Sequence, residues 1–265
     1  MVRYRATVAY DGTAYFGFQR QAAGVPTIQL RLEEALGRIT GQGRRGGVVG
    51  AGRTDTGVHA SGQVIAFGLD WTHGADDLRR ALNANLPPDI VVREVAETGA
   101  GFHPRYDALS RTYVYRLVIA PVRDPLRRLY AWHREGELDI PAMQAAAGSL
   151  IGAHDFSAFG TPPQGENPVR TVYEATWWAG GDEAAFTIRA NAFLYRMVRR
   201  IVGTLVQVGE GRMTPARFQD ILTGRDPAQS AAPAPPWGLT LVAVEYQDEI
   251  PDAAAGGHRV ERGEC

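Results

Sequence analysis

The spacing of hydrophobic positions changes at regular intervals along the chain, and the changes divide it into elements. From Val2 to Tyr10 apolar and polar residues alternate, as in a strand with one buried face, and the run stops at the turn signal Asp11-Gly12. Thr27 then precedes Ile28, Leu32, Leu36 and Ile39, a helical stripe with a capping hydroxyl at its start. Val48-Val49 and Val64 to Phe67 read as short strands, Leu78, Leu82 and Asn85-Leu86 as a helix face, and Ile90 to Val95 as another strand. The order is β-α-β-β-α-β.

After Gly99 the same series begins again. Thr112 to Ile119 alternates, Asp139 caps a helix through Ile140, Met143, Ala147 and Leu150, and Thr171 to Trp178 with Ala184 to Ala190 form a strand pair. Phe193 to Val208 reads as a long apolar-faced helix, Thr214-Pro215 starts a short extra one carrying Phe218, Ile221 and Leu222, and Leu239 to Tyr246 is a last strand. The fold class expected is therefore α+β: two ferredoxin-like halves, residues 1–105 and 106–247, followed by a tail at 248–265. Joined edge to edge, their sheets would form one mixed, mostly antiparallel sheet with helices on one face and a platform for an elongated polyanion on the other. The Pro-rich stretches Thr161-Pro162-Pro163 and Pro233 to Pro236 read as loops, because periodic segments resume on both sides.

Composition narrows the chemistry. All 28 basic side chains among the 265 residues are arginine. Without lysine there is no Schiff base, no lysine general base and no P-loop lysine. The lone cysteine, Cys265, excludes intrachain disulfides and thiolate metal clusters. No HxH, HExxH or clustered-acid spacing offers a metal site, so no cofactor is expected. The N-terminal segment has no signal-peptide run and no stretch is long and apolar enough to span a membrane, which predicts a soluble, cytoplasmic protein. The net charge of −1 hides an uneven distribution: Arg105 to Arg128 holds six arginines and two aspartates, and Arg189 to Arg200 four arginines and no acid. Such stripes suit phosphates, although charge alone equally fits solvated faces. The tail at 248–265, with five acids and two arginines in an Ala- and Gly-containing stretch, has a composition that favours disorder.

The densest loop is GAGRTDTGVHA, residues 50–60. Its glycines allow close backbone approach to a ligand around Asp55. Two readings of Asp55 stand side by side: an Asx-turn in which the carboxylate caps neighbouring amides, or a free carboxylate held ionised by Arg53 two residues away. His59 in the same loop fits a backbone hydrogen-bond partner better than a general base.

Five ordered segments carry a family resemblance: YDGTAYFGFQRQ at 10–21, GAGRTDTGVHA at 50–60, NANLPPDI at 83–90, FHPRYDALSRTYVYRL at 102–117 and NAFLYRMVRRIVGTL at 191–205. The chain resembles the tRNA pseudouridine synthase A family, uridine isomerases of the anticodon stem-loop. The resemblance implies that Asp55 is the catalytic carboxylate, that Arg199 pairs with it, that an active-site tyrosine stacks on the target base, and that a homodimer modifies nucleotides 38, 39 and 40 of tRNA. Tyr113 and Tyr115, which share a strand face by period two, compete for the tyrosine's place, with Tyr113 preferred. Arg53, Arg105, Arg111 and Arg200 are the further substrate-binding candidates. Where the family commonly has two histidines before the helix methionine, this chain has Tyr195-Arg196, and Arg200 stands where an asparagine often follows; these departures change RNA contacts, not the chemistry. The resemblance stops near Tyr246.

Making pseudouridine breaks the bond from N1 to the ribose, turns the base and rejoins it through C5, with no atoms lost. That requires a carboxylate beside the ribose, a surface for the detached uracil and an acceptor for the C5 proton. Whether the carboxylate attacks the ribose, adds to the base or removes a ribose proton stays open. Two rival classes exist. An RNA-binding platform without chemistry should show a Gly-aromatic RNP1 strand, which RTYVYR at 111–116 lacks. A glycoside hydrolase needs a second carboxylate about 5–10 Å from the first, and no acid in the matched segments offers itself.

Overall fold

A computed structural model describes residues 1–41, 47–162, 165 and 167–247; the expected tail lies outside the described residues, as does Pro163. In the first half, β1 (Val2–Tyr10), α1 (Ile28–Thr40), β2 (Val49–Gly50), β3 (His59–Leu69), α2 (Ala75–Asn85) and β4 (Ile90–Glu97) follow the order read from periodicity. The second half contains β5 (Ala108–Ile119), β6 (Trp132–Arg134), α3 (Ile140–Gly148), β7 (Gly152–Asp155), β8 (Val169–Gly180), β9 (Glu183–Ala190), α4 (Met197–Gly209), α5 (Pro215–Gly224) and β10 (Leu239–Tyr246). Caps fall where the sequence places them. The hydroxyl of Thr27 accepts from the Leu30 amide, the carboxylate of Asp139 from Ala142 and the hydroxyl of Thr214 from Arg217, each satisfying an amide that the first helical turn leaves free.

One sheet runs through both halves in the order β4-β1-β3-β10-β5-β9-β8-β7, with β2 against β3 and β6 against β5. Within it, β4-β1-β3-β2 and β10-β5-β9-β8 repeat the same ferredoxin-like arrangement. The halves meet where β10 runs parallel to the start of β3 through two residue pairs, Thr240 with His59 and Leu241 with Ala60. That approach is close enough to demand glycine: a Cβ on Gly62 would lie 2.1 Å from the carbonyl oxygen of Val242. One sheet face is buried, through Tyr4, Ala6 and Val8 of β1, Tyr113, Tyr115 and Leu117 of β5 and Phe186 and Ile188 of β9, in one core with the apolar residues of the helices. Residues of the opposite face, such as Arg5, Arg116 and Tyr173, stay accessible.

The differences from expectation have local causes. β3 begins five residues before Val64, because Ser61, Gly62 and Gln63 interrupt the apolar pattern while the strand continues across a register shift, Ala60 pairing with Tyr10 and Gln63 with Val8. α4 begins at Met197 rather than Phe193: Arg196 adopts a left-handed conformation, φ 61°, that ends the preceding loop, and Tyr195 forms an isolated bridge with Thr161. β6 and β7 are too short for a period to be visible.

Two glycines should therefore respond in opposite directions. Gly62→Ala pushes a methyl into the β10 backbone at the seam and should destabilise the chain by about 3 kcal/mol. Gly148→Ala, at the end of α3 with open space around its Cβ, should add roughly 0.5–1 kcal/mol by removing backbone freedom from the unfolded chain. Urea midpoints of the two variants, measured at constant slope, decide it.

Candidate active site

Asp55 lies in the connection from β2 to β3, and the loop is fastened from three sides. Buried Gln63 of β3 donates to the Gly52 carbonyl at 2.8 Å and accepts from the Gly52 amide at 3.3 Å. The Thr54 hydroxyl is 2.8 Å from the Tyr10 hydroxyl at the end of β1, and burial pushes that phenol up to about 12. The Phe18 amide donates to the Thr54 carbonyl at 3.1 Å, and a Cβ on Gly17, φ 87°, would sit 2.7 Å from the same oxygen. A loop held this closely presents its side chain at little entropic cost.

The Asp55 carboxylate accepts one hydrogen bond among the described residues, from Arg199 Nη1 to Oδ2 at 3.0 Å; no backbone amide caps it, so the Asx-turn reading fails. Both side chains are mostly buried, Arg199 at 13% and Asp55 at 20% exposure. Arg199 is itself aimed by a second bond, Nε to the Ala234 carbonyl at 2.7 Å, while the Ala234 amide returns to the Arg199 carbonyl at 2.9 Å. The Pro-rich loop thus serves as the backstop for the arginine. Arg53 is not the partner: its side chain is exposed and forms no ion pair among the described residues.

Around the pair opens a cleft of about 1260 Å³, larger than a small-molecule pocket. Tyr113, which lines the cleft, projects from the buried sheet face on which the helices pack. Among the described residues the cleft lining includes Arg20, Arg53, Arg105, Arg111, Arg170, Arg196 and Arg199 against a single acid, Asp55. Phe16, Tyr106 and Tyr195 add aromatic rings that are 53%, 71% and 50% exposed.

The two tyrosines separate by environment. Tyr115 is fully buried and its hydroxyl donates to the Pro235 carbonyl at 2.7 Å, whereas Tyr113 lines the cleft with Phe193 edge-on to its ring at 5.1 Å. Burial pushes the Tyr113 phenol up, with Tyr10 and Asp55 adding to the shift and Arg111 opposing it, so it enters any reaction as a neutral phenol.

Two candidate phosphate contacts need correction. Arg111 is buried, and its guanidinium is spent on the carbonyls of Ala51 and Arg105, at the first half's loop and the crossover, and of Ala108 and Asn191 in the second half. It is a knot between halves, not a free cation. Arg200, about 100° further round the helix than Arg199, turns away from the cleft and donates to Pro227 and Ser230. Arg105 does line the cleft, with its guanidinium 5.8 Å from the centre of the Tyr106 ring. His59 is structural as expected. Its Nδ1 accepts from the Gly12 amide at 3.0 Å and its Nε2 faces the carbonyls of Leu129 and Trp237. Sequence reasoning missed Gln63 and Tyr10, although a lone amide inside an apolar strand was a visible signal.

Comparison with known proteins places this geometry. The model of the tRNA pseudouridine synthase family matches residues 6–107 and again 146–247. A tRNA pseudouridine synthase A of Brevibacillus brevis is 46% identical over 247 residues, covering 93% of this chain and 100% of the relative. The enzyme of that name from Methylacidiphilum infernorum is 41% identical over 93% of this chain and 96% of its own length. That from Neisseria gonorrhoeae is 42% identical over 92% of each. Among solved structures, an archaeal box H/ACA sRNP Nop10–Cbf5 complex has 12% identity and a TM-score of 0.34, spanning 77% of this chain and 54% of that one, too distant to add weight. With both halves matched and the relatives aligned across the loop of Asp55 and the helix of Arg199, the chain belongs to the tRNA pseudouridine synthase family.

Proposed function

We propose that this chain converts uridine to pseudouridine at nucleotides 38, 39 and 40 of the tRNA anticodon stem-loop, in the cytoplasm and as a homodimer in which each protomer helps hold the tRNA at the other's cleft. The observation that carries the reading is that Asp55, paired with Arg199, is the single carboxylate among the described residues of a cleft lined by seven arginines, Arg199 included. An arginine-lined groove of this size attracts phosphates, and one carboxylate within it is a reactive group rather than part of the field. A uridine stacked in the stem must leave its neighbours to reach Asp55, so base flipping is part of the reaction. Asp55 acts on the glycosidic bond, as nucleophile or base. Tyr113, which lines the cleft beside Asp55, holds the detached uracil against its ring. Arg199 holds the carboxylate in position at the cleft. Arg53 and Arg105 hold the backbone of the flipped strand. A glycosidase reading needs a second acid, and Asp55 is the one carboxylate in the lining among the described residues.

Asp55→Asn removes the charge and keeps the volume, so it should lower single-turnover isomerisation by at least roughly a thousandfold while tRNA affinity stays within about twofold. Residual turnover within about tenfold of wild type would sink the assignment.

Arginine substitutions should sort by place. Arg199→Ala leaves a partly buried carboxylate unpaired and should cut the single-turnover rate about a hundredfold with little loss of affinity. Arg105→Ala should weaken binding to all tRNAs alike and flatten the log–log salt dependence by about 0.7–0.9. Arg200→Ala should leave both rate and affinity near wild type. Equal effects of Arg199→Ala and Arg105→Ala on affinity, at unchanged rate, would make Arg199 another phosphate clamp.

Exhaustive chelation should leave activity intact without added nucleotide or redox cofactor, because the chain has no cysteine cluster, no histidine pair at ligand spacing and no P-loop lysine. Activity lost to EDTA and restored by zinc, but not by the magnesium that folds tRNA, would contradict this.

A further inference from the structure

Two residues other than glycine hold a positive φ among the described residues, Arg196 at 61° and Arg225 at 58°. For a residue with a Cβ this conformation is strained, which is why glycine or asparagine usually fills it. Arg225 gains a contact in return, because its Nε lies 3.5 Å from the Asp155 carboxylate. Arg196 gains much less. Its side chain is exposed, makes no hydrogen bond or ion pair among the described residues, and lies with its guanidinium 4.8 Å from the centre of the half-exposed Tyr195 ring. A strained backbone kept for a side chain that does little within the fold points to something outside it.

The location narrows what that is. Tyr195 and Arg196 both line the cleft, and Arg196 stands just before α4, about one helical turn and hence about 4.5 Å along the axis from Arg199. The backbone of Tyr195 is fixed by its amide, which donates to the Thr161 carbonyl at 2.9 Å, so the ring is carried on a firm base. When a uridine flips out of a stem, the base next to it loses a stacking partner and needs a replacement surface. We propose that Tyr195 and Arg196 form a cationic stacking plate for the nucleotide adjacent to the target uridine, the ring meeting the face of that base and the guanidinium meeting its phosphate. This assignment rests on the proposed action on a flipped uridine. Aromatic rings and guanidinium planes are the surfaces on which unstacked RNA bases settle, and the plate's position beside the Asp55–Arg199 pair puts it within one nucleotide's reach of the reacting base.

The full chain, an unmodified tRNA transcript and the same transcript with an abasic site beside the target supply the test. Arg196→Gly relieves the backbone, so it should melt no lower than wild type while its tRNA dissociation constant rises about tenfold. Tyr195→Phe keeps the ring and should bind within about twofold of wild type, whereas Tyr195→Ala should lose about tenfold. The abasic site should weaken wild type by a similar factor and Tyr195→Ala by less than about twofold, because the lost base and the lost ring remove the same contact. A lower melting temperature for Arg196→Gly would make the arginine a structural residue and overturn the proposal. So would affinities within about twofold of wild type for both Arg196→Gly and Tyr195→Ala. Wild-type protein that bound the transcript without isomerising it would overturn the proposed reaction but not the plate, which is read from affinity alone.

Discussion

A carboxylate on one half of the chain is held by an arginine from the other, and the arrangement depends on that bond. Asp55 comes from the β2–β3 loop and Arg199 from α4, 144 positions later, yet they meet at 3.0 Å with most of both side chains buried. Neither charge is well placed alone, since a buried ion without its partner is costly. The pair can form because the two ferredoxin-like halves share one sheet, and the sheet can be shared because Gly62 lets the backbone of β10 approach that of β3. Arg111 ties the same seam from below by donating to carbonyls of both halves. Seam, knot and ion pair form one mechanical unit, with the cleft as its opening.

Electrostatics divides the arginines by use. The chain carries a net charge of −1, so long-range attraction for RNA cannot come from the whole molecule. It comes from the cleft, where among the described residues seven arginines surround one acid. Within that set Arg199 is committed to Asp55, Arg111 to backbone carbonyls and Arg20 to Glu33, while Arg53, Arg105 and Arg196 form no ion pair among the described residues. A chain without lysine makes every one of these positions a planar fork that stays charged, suited to stacking as well as to phosphate.

Much of this was legible before any coordinates. Alternation in β1 and β5 and the capped stripes of α1 and α3 follow from side-chain direction alone, and the repeat of one element order in two halves follows from them. What periodicity could not supply is where long-range partners lie. Arg53 looked like the keeper of Asp55 because it is near in sequence, but the fold brings Arg199 instead, and only the resemblance pointed there. Arg111 and Arg200 looked like phosphate contacts because a charge count cannot distinguish a guanidinium turned to solvent from one absorbed by carbonyls. The start of α4 was misjudged because Phe193 to Met197 is apolar enough for a helix, while the left-handed turn at Arg196 is a backbone choice that composition does not announce.

In making pseudouridine the cleft breaks a carbon–hydrogen bond at C5 of a tRNA uridine and releases that hydrogen to solvent, while N1 takes up a proton, so that the product is an isomer of the substrate. Tritium placed at C5 of the uridines in an unmodified tRNA transcript reports that step and nothing else in the competing classes, because neither an RNA-binding platform nor a glycosidase touches C5. Tritium should be released to solvent in proportion to the anticodon-stem uridines converted, with the tRNA chain intact. Tight binding of the transcript without tritium release, or loss of uracil from the RNA with tritium still attached, would contradict it.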